Sequence, residues 1–330
     1  MNMSYEEALN RCKQSFRIKL MHSVELLRKA ERIALLYDNT DGYYLAFSGG
    51  KDSQALYHVA KMAGVKFKGH MSLTSVDPPQ VIRFVKRNYP DIVLHKPMMS
   101  MYDKAVEKGI LPTMLIRWCC AEYKESAGAG KVTLIGVRAA ESVKRAKRHE
   151  VEVSSRKYSG DLKGFEDWSR AEIDKKTAKM KRKINEDEFS IKNDNEVRCI
   201  NGQDSILISP IFQWTDKDVW YFLNEIVQVP HCELYDIGYT RIGCVLCPMA
   251  SKRIKLMDMK MFPHVKRGWI KVIKVLRKEK RGFYTEMVWT NESSEDEIAE
   301  AIFEWWISGK SYKQWYSDKK LQLTFNFNFE

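Results

Sequence analysis

Tyr43-Tyr44-Leu45-Ala46-Phe47-Ser48-Gly49-Gly50-Lys51-Asp52-Ser53 is the stretch from which the fold is read. The apolar, tyrosine-led run 43–47 suits a β-strand. It ends at Ser48-Gly49-Gly50, and a helix-compatible stretch follows from Asp52 through Ala63. Two adjacent glycines let the backbone turn without a Cβ clash, so successive N–H groups can face one anion. The following helix adds the positive end of its dipole and its unpaired N–H groups. Ser48, Lys51 and Ser53 bring one charge and two hydroxyls to the same point. The combination predicts a phosphate cradle; the plainer alternative is an ordinary Gly-Gly turn beside an incidental lysine.

The spacing of the glycines does not fit the Walker pattern G-x-x-x-x-G-K-[ST]. Residues 48–53 instead resemble the S-G-G-x-D-S signature of the PP-loop, or adenine nucleotide α-hydrolase, superfamily. That resemblance implies a loop that holds pyrophosphate while ATP is cut between its α- and β-phosphates. Ser48, Gly49, Gly50, Lys51, Asp52 and Ser53 would then surround the nucleotide.

A chain of 330 residues with 44% hydrophobic content can bury a full core, as one large domain or two. Its formal charge of +12 favours an anionic partner. Nucleotide phosphates would account for part of that excess, and DNA or RNA on basic surfaces for more. No long uncharged apolar run is present, so neither a transmembrane helix nor a membrane partner is expected. Met1 to Glu7 is polar and acidic, unlike a signal peptide. Seven cysteines, an odd count, are too few for a disulfide scaffold of this length, so a reducing cytoplasm is the expected compartment.

Ser4 and Glu7 form a Ser-x-x-Glu capping box, opening a helix expected to run to about Tyr37. Ala8, Cys12, Phe16, Leu20, Val24 and Leu27 recur at helical spacing, which makes Cys12 a core thiol. Asn39-Thr40-Asp41-Gly42 breaks that helix. Further strands are expected at 65–73, 92–94, 131–137 and 206–208, with a helix from Pro78-Pro79 through Tyr89. Alternation of this kind predicts an α/β fold with a doubly wound, mainly parallel sheet. Ligands of such sheets sit outside the carboxyl ends of the strands, where the Gly49-Gly50 turn falls. The expected organisation is a helical N-terminal segment (1–40) and a PP-loop, HUP-like nucleotide-binding domain (41–250) with a basic insertion at about 151–205. A basic, α-rich C-terminal region with a terminal strand (251–330) follows.

The 131–137 strand leads into Gly136-Val137-Arg138-Ala139-Ala140-Glu141-Ser142-Val143-Lys144-Arg145. A glycine and an arginine at a strand's carboxyl end suit close approach to a nucleotide and pairing with its phosphate. A solvated basic helix start is the alternative, above all for Arg145. The segment resembles the superfamily's G-x-R-x-x-E-S-x-x-R, which implies that Gly136, Arg138 and Arg145 lie near the phosphates. Farther on, Thr215 reads as a helix N-cap with Asp218 in the first turn. The surrounding Pro210-Ile211-Phe212-Gln213-Trp214-Thr215-Asp216-Lys217-Asp218-Val219-Trp220 resembles a segment of phosphoadenosine phosphosulfate (PAPS) reductases. It marks the family without supplying catalytic residues.

Arg117-Trp118-Cys119-Cys120 and Ile242-Gly243-Cys244-Val245-Leu246-Cys247-Pro248 carry the second signal. A Cys-x-x-Cys turn can aim two thiolates at one metal, and an adjacent cysteine pair can offer two more. Four thiolates suit a [4Fe–4S] cluster or a structural zinc, with buried or redox thiols as the remaining alternative. The pairing resembles the cluster-binding pattern of bacterial adenylylsulfate reductases, as does the lead-in 238–244. It implies a [4Fe–4S] cluster on Cys119, Cys120, Cys244 and Cys247. Cys199 and Cys232 read as core or surface thiols, Cys232 being a backup candidate for sulfur relay, and His231 as a packed or capping histidine.

Two basic stretches stand apart. Lys175-Lys176, Lys179 and Lys181-Arg182-Lys183 form either a solvated linker or a nucleic-acid contact. The stretch 264–281 carries Val265, Trp269, Val272, Ile273 and Leu276 on one helical face among eight lysines and arginines, suiting a phosphate backbone or a solvated face. Ser294-Glu295-Asp296-Glu297 starts a last helix with Ile298, Ala301, Ile302 and Trp305 as its buried stripe, ending at Gly309. Trp306 and Trp315 suit either the core or stacking on bases. Residues 321–329 alternate strictly, as a strand does.

True PAPS and adenylylsulfate reductases carry a nucleophilic cysteine in a C-terminal Glu-Cys-Gly-Leu-His-type tail, whereas no cysteine follows Cys247 here. The resemblance therefore implies the branch that uses ATP to adenylate an acceptor and then lets sulfur displace AMP. DNA phosphorothioation enzymes of the Dnd and Ssp type work this way. In that reading Lys51, Ser53 and Arg138 are catalytic and ATP with Mg²⁺ occupies the loop. A cysteine desulfurase or other sulfur donor and modification-complex subunits are then the partners. An assimilatory reductase of an adenylylated sulfate is the second reading, and a non-catalytic nucleic-acid-binding subunit that retains the fold is the third.

Overall fold

Tyr43–Ala46 forms the strand β1, from which the sheet grows in both directions. The computed structural model describes residues 3–125, 127–128, 130–153, 206–282, 284 and 294–318. The expected basic run at 175–183, Cys199 and the alternating tail at 321–329 lie outside the described residues.

In chain order the strands are β1, β2 (Phe67–Ser72), β3 (Val93–His95), β4 (Val132–Leu134), β5 (Val151–Val153) and β6 (Ile206–Ile208). The helices are α1 (Tyr5–Arg11), α2 (Gln14–Tyr37), α3 (Lys51–Ala63), α4 (Pro79–Asn88), α5 (Met101–Lys108), α6 (Trp118–Cys120), α7 (Val143–Ala146), α8 (Asp216–Tyr221), α9 (Lys252–Met261), α10 (Pro263–Lys278) and α11 (Glu295–Ser308). The sheet order is β3-β2-β1-β4-β6-β5. Every neighbouring pair is parallel except β5 with β6, which run antiparallel. This is the α/β fold with a mainly parallel sheet that the alternation predicts. Tyr43, Tyr44 and Leu45 are all buried, as befits a central strand covered on both faces. Tyr43 Oη donates to Leu27 O at 2.7 Å, tying β1 to α2.

The N-terminal helix differs from expectation. The Ser4–Glu7 capping box forms, but the helix stops at Arg11 and restarts at Gln14. Lys13 N–H donates to Tyr221 Oη at 3.0 Å, so its amide is satisfied outside a helix. Apolar periodicity runs through the break because Phe16 packs on Trp214 and Tyr221, with centroids 4.8 and 5.4 Å away. Cys12 caps α1 half-buried and is not the core thiol expected.

The chain gathers into two units. The first comprises Met1–Leu73, Pro79–His95 and Ala121–Ile242 and contains the sheet. The second comprises Thr74–Pro78, Lys96–Cys120 and Gly243–Glu330 and contains both cysteine pairs.

Within the second unit, Val265, Trp269, Val272, Ile273 and Leu276 of α10 are buried, as their spacing predicts. Trp269 meets Tyr102 and Trp306, each with ring centroids 5.0 Å away. On α11 the buried residues are Ile298, Ala299, Ile302, Phe303 and Trp306, a stripe rotated from the expected one. Trp306 sets that rotation: its indole N–H donates to Pro112 O at 2.6 Å. Trp306 and Trp315 are buried and serve the core, not base stacking. The basic side of α10 is partly neutralised by α11, through Lys266–Glu300, Lys274–Asp296 and Arg277–Glu295 pairs. Arg267, Lys271 and Lys278 remain exposed.

Candidate nucleotide site

The loop between β1 and α3 belongs to the first unit. Gly50 is the N-cap of α3 in extended conformation, with no side-chain cap. Gly49 has φ +72°, a conformation that L side chains rarely adopt. A Cβ there would also stand 2.8 Å from Val81 Cγ1 and 2.9 Å from Val85 Cγ2 of α4. Ser53 Oγ donates to Gly50 O at 2.8 Å and accepts from Ser48 N–H at 3.2 Å. The two serine hydroxyls, 3.2 Å apart, thus brace the turn from within. Lys51 N–H donates to Tyr235 Oη at 2.9 Å. The N–H groups of Asp52 and Ser53 have no acceptor among the described residues, as is usual in a helix's first turn.

Around the loop sit two buried cations and two carboxylates. The Lys51 and Arg138 side chains are 5% and 3% exposed. Lys51 Nζ lies 3.4 Å from Asp52 Oδ2 and 3.1 Å from Asp216 Oδ1. Arg138 donates from Nε to Asp52 Oδ1 at 2.7 Å, from Nη2 to Asp216 Oδ1 at 3.0 Å and from Nη1 to Trp214 O at 3.3 Å. Mutual pairing offsets the desolvation of these cations. Parallel pairing of β4 with β1, Tyr44 opposite Thr133, brings Gly136 and Arg138 beside the loop. A Cβ on Gly136 would press within 3.1 Å of the Asp52 carbonyl, so the glycine permits close approach.

Residues 48–53, Gly136 and Arg138 are therefore gathered at one point. Arg145 pairs with Glu141, four residues back, and Glu141 accepts the Arg138 N–H at 3.0 Å. Asp216 and Tyr235 complete the cluster and were not singled out from the sequence. Asp216 opens α8, where the Thr215–Asp218 capping box fixes the helix start and hence its position. An acidic residue directly after the N-cap was the available signal. Tyr235 has no local signal; it is a lone aromatic in a turn.

The cysteines lie in the second unit. The Cys244–Cys247 turn is shaped by Leu246, at φ +57°, whose N–H donates to the buried Asp258 carboxylate at 2.8 Å. Val245 N–H donates to Val76 O at 2.8 Å, and Thr74 Oγ1 lies 3.4 Å from Cys244 Sγ. Hydrogen bonding to Cys120 pushes the Cys119 thiol far above its ordinary value, reinforced by burial and by charge on Cys120, Cys244 and Cys247. The four thiols therefore share one electrostatic neighbourhood. Among the described residues, however, no group of three or more His, Cys, Asp or Glu is spaced to hold a metal ion. The expected four-cysteine ligand set is thus not a formed metal site. Cys232 is fully buried, which argues against an accessible sulfur relay, and His231 is paired with Asp236 at 2.8 Å. Among the described residues no helix is long and apolar enough to cross a membrane.

Residues 42–250 match the phosphoadenosine phosphosulfate reductase domain. The chain belongs to this family. The match takes in the 48–53 loop, the Gly136–Arg138 strand end, Asp216 and both cysteine pairs. An uncharacterized protein of Methanocaldococcus jannaschii is 26% identical over 69% of this chain and 47% of its own length. The chain spans less than half of that relative and of a second from the same organism. An adenosine 5'-phosphosulfate reductase of Oceanobacillus iheyensis is 42% identical over 43 residues, 13% of this chain and 18% of its own. Among solved structures, Candida glabrata FMN adenylyltransferase with FAD and pyrophosphate overlaps 73% of this chain and 71% of its own, at 14% identity and TM-score 0.40. A PAPS reductase from Candida auris overlaps 67% and 93%, at 17% identity and TM-score 0.33. The PAPS reductase domain family is one of enzymes, and an adenine nucleotide is the ligand it leads one to expect.

Proposed function

We propose that this member of the PAPS reductase domain family binds ATP on the 48–53 loop and releases pyrophosphate while adenylating an acceptor oxygen. The observation that carries this reading is the pairing of buried Lys51 and Arg138 with Asp52 and Asp216 at the N-terminus of α3. Arrival of a polyphosphate would draw both cations from their carboxylates to phosphate oxygens, while the Asp52 and Ser53 N–H groups donate to further phosphate oxygens. An acceptor oxygen attacks the α-phosphorus, the bond from that phosphorus to the bridging oxygen breaks, and pyrophosphate leaves. Lys51, Ser53 and Arg138 serve by positioning and by stabilising charge, as in other phosphoryl chemistry. In the second step a sulfur nucleophile attacks the adenylylated centre and AMP departs with the acceptor oxygen.

Two oxygen-donating carboxylates suit Mg²⁺, which keeps several waters and relies on substrate phosphates. Asp216, 63% exposed, is the better placed of the two. Bound there with the nucleotide, Mg²⁺ would neutralise charge on the leaving pyrophosphate. The four thiols of the second unit suit an iron–sulfur cluster chemically, with zinc as the alternative, although their present spacing is not that of a ligand set. A cluster there would supply sulfur-binding or redox chemistry; Cys119, Cys120, Cys244 and Cys247 would hold it.

DNA phosphorothioation is the proposed setting, with a phosphate oxygen of DNA as acceptor and a cysteine desulfurase or similar donor as the sulfur source. The net charge of +12 and the exposed Arg267, Lys271 and Lys278 support it. Reduction of an adenylylated sulfate is the second reading, favoured by the shared neighbourhood of the cysteines and the local likeness to an adenosine 5'-phosphosulfate reductase. The test uses anaerobically purified protein. Pyrophosphate release from ATP is measured with and without DNA, and sulfite release from adenylylsulfate or PAPS with thioredoxin. DNA-stimulated pyrophosphate release supports the first reading; sulfite production overturns it.

A further inference from the structure

Tyr235 stands at the mouth of the loop without a role in the reading above. It lies in a turn closed by Tyr235 N–H to Cys232 O and by Tyr239 N–H to Leu234 O, both 3.0 Å. Its ring meets Trp220 edge-on, with centroids 4.9 Å apart. That packing aims the hydroxyl at the Gly50–Lys51 peptide. Oη accepts the Lys51 N–H at 2.9 Å and lies 3.5 Å from where a Cβ on Gly50 would stand.

The hydrogen-bond inventory of this hydroxyl is informative. A phenol that accepts through oxygen keeps its own proton to donate. Among the described residues no acceptor takes that proton, the Lys51 N–H being the hydroxyl's hydrogen-bond partner. Burial pushes the phenol well above its ordinary value, so the donor persists across the working pH range. The first N–H of α3 thus orients a hydroxyl whose donor is unspent, beside the unpaired N–H groups of Asp52 and Ser53.

We propose that Tyr235 is a phosphate-positioning residue whose hydroxyl, oriented by the Lys51 N–H, donates to a pyrophosphoryl oxygen of the nucleotide on the 48–53 loop. The proposal rests on the nucleotide reading above. It extends the cradle beyond the loop itself: one donor comes from a residue 184 positions away in sequence. Because Trp220 and the Lys51 N–H hold the phenol from two sides, the contact fixes where a diphosphate lies instead of following it.

The test compares wild type with Tyr235→Phe, which keeps the ring and its packing on Trp220. Binding of inorganic pyrophosphate and of ATP, with Mg²⁺, is measured by calorimetry, alongside the melting temperature. The expected result is roughly ten-fold weaker binding of both ligands, the loss of one charge-assisted hydrogen bond, with melting nearly unchanged. Unchanged affinity overturns the assignment. Tighter binding also overturns it, since the hydroxyl would then be a competitor for the phosphate position. A wild type that binds neither ligand removes the nucleotide reading and this proposal with it, an outcome read without the variant. Should the phenylalanine variant not fold, 3-fluorotyrosine placed at position 235 is a stronger donor of nearly the same shape. It is expected to tighten pyrophosphate binding, and no change there overturns the proposal.

Discussion

Arg138 Nε donates to Asp52 Oδ1 at 2.7 Å, joining the carboxyl end of β4 to the first turn of α3 across 86 positions of sequence. The same guanidinium reaches Asp216, so one buried arginine ties three segments together. Arg138→Ala leaves Asp52 and Asp216 without that partner. Because both carboxylates are partly solvated, the expected loss of stability is about 1–3 kcal/mol, below that of a fully buried pair. Arg138→Lys keeps the charge but not the fork, and should lose pyrophosphate release while keeping most of the stability. Urea denaturation and pyrophosphate release on both variants check this.

Lys51→Ala removes a buried cation from the first turn of α3. Pyrophosphate release is expected to fall by about a hundred-fold or more, a typical magnitude for loss of one charge-stabilising group. A steady-state assay decides it; activity within three-fold of wild type would mean that the loop does not carry the chemistry.

Gly49→Ala should destabilise the protein by roughly 1–3 kcal/mol, through positive φ and the contacts with Val81 and Val85. Its ATP affinity should fall more than its melting temperature suggests, because the turn itself would reshape. Calorimetric binding beside thermal melting separates the two effects.

These predictions fall on residues whose legibility differed. The strand, the Gly49 turn and α3 are local in sequence, so composition and spacing were enough to identify them. Arg138 was legible because it closely follows a strand that pairs directly with β1. Asp216 and Tyr235 reach the same point only through the sheet and the packing of Trp220, which no short window contains. The break at Cys12 was hidden because Phe16 continues the apolar period into a different helix. Trp306 was ambiguous because the hydrogen bond to Pro112 that sets the face of α11 links distant segments. The four cysteines were legible as a pattern, while their present spacing departs from a metal site.

Acid should weaken the fold well above the carboxylate range. Burial pushes His58 from 6.5 down to about 4, and burial with the neighbouring His95 does the same to His70. Between those values the unfolded chain binds protons that the folded one does not. Stability is therefore fully present above pH 6.5 and falls as pH drops toward 4, by at most about 1.4 kcal/mol per pH unit for each histidine. Denaturation midpoints at pH 7, 5.5 and 4.5 test this. In His58→Gln the slope should be visibly shallower.

On the proposal that Cys119, Cys120, Cys244 and Cys247 hold a cluster, anaerobically purified protein carries iron and sulfide, with visible absorption lost in Cys244→Ser and Cys247→Ser but kept in Cys12→Ser. Elemental analysis checks it. A colourless protein with stoichiometric zinc would replace the cluster by the structural metal.

The path of the chain passes between its two units after Leu73, Pro78, His95, Cys120 and Ile242. No single cut releases either unit as a continuous polypeptide. Neither can be moved as one continuous cassette, and a gene truncated after Cys120 strands part of both. The sheet unit and the cysteine unit must be inherited, synthesised and completed together, and a ribosome finishes the last stretch of the sheet unit before it has made most of the other.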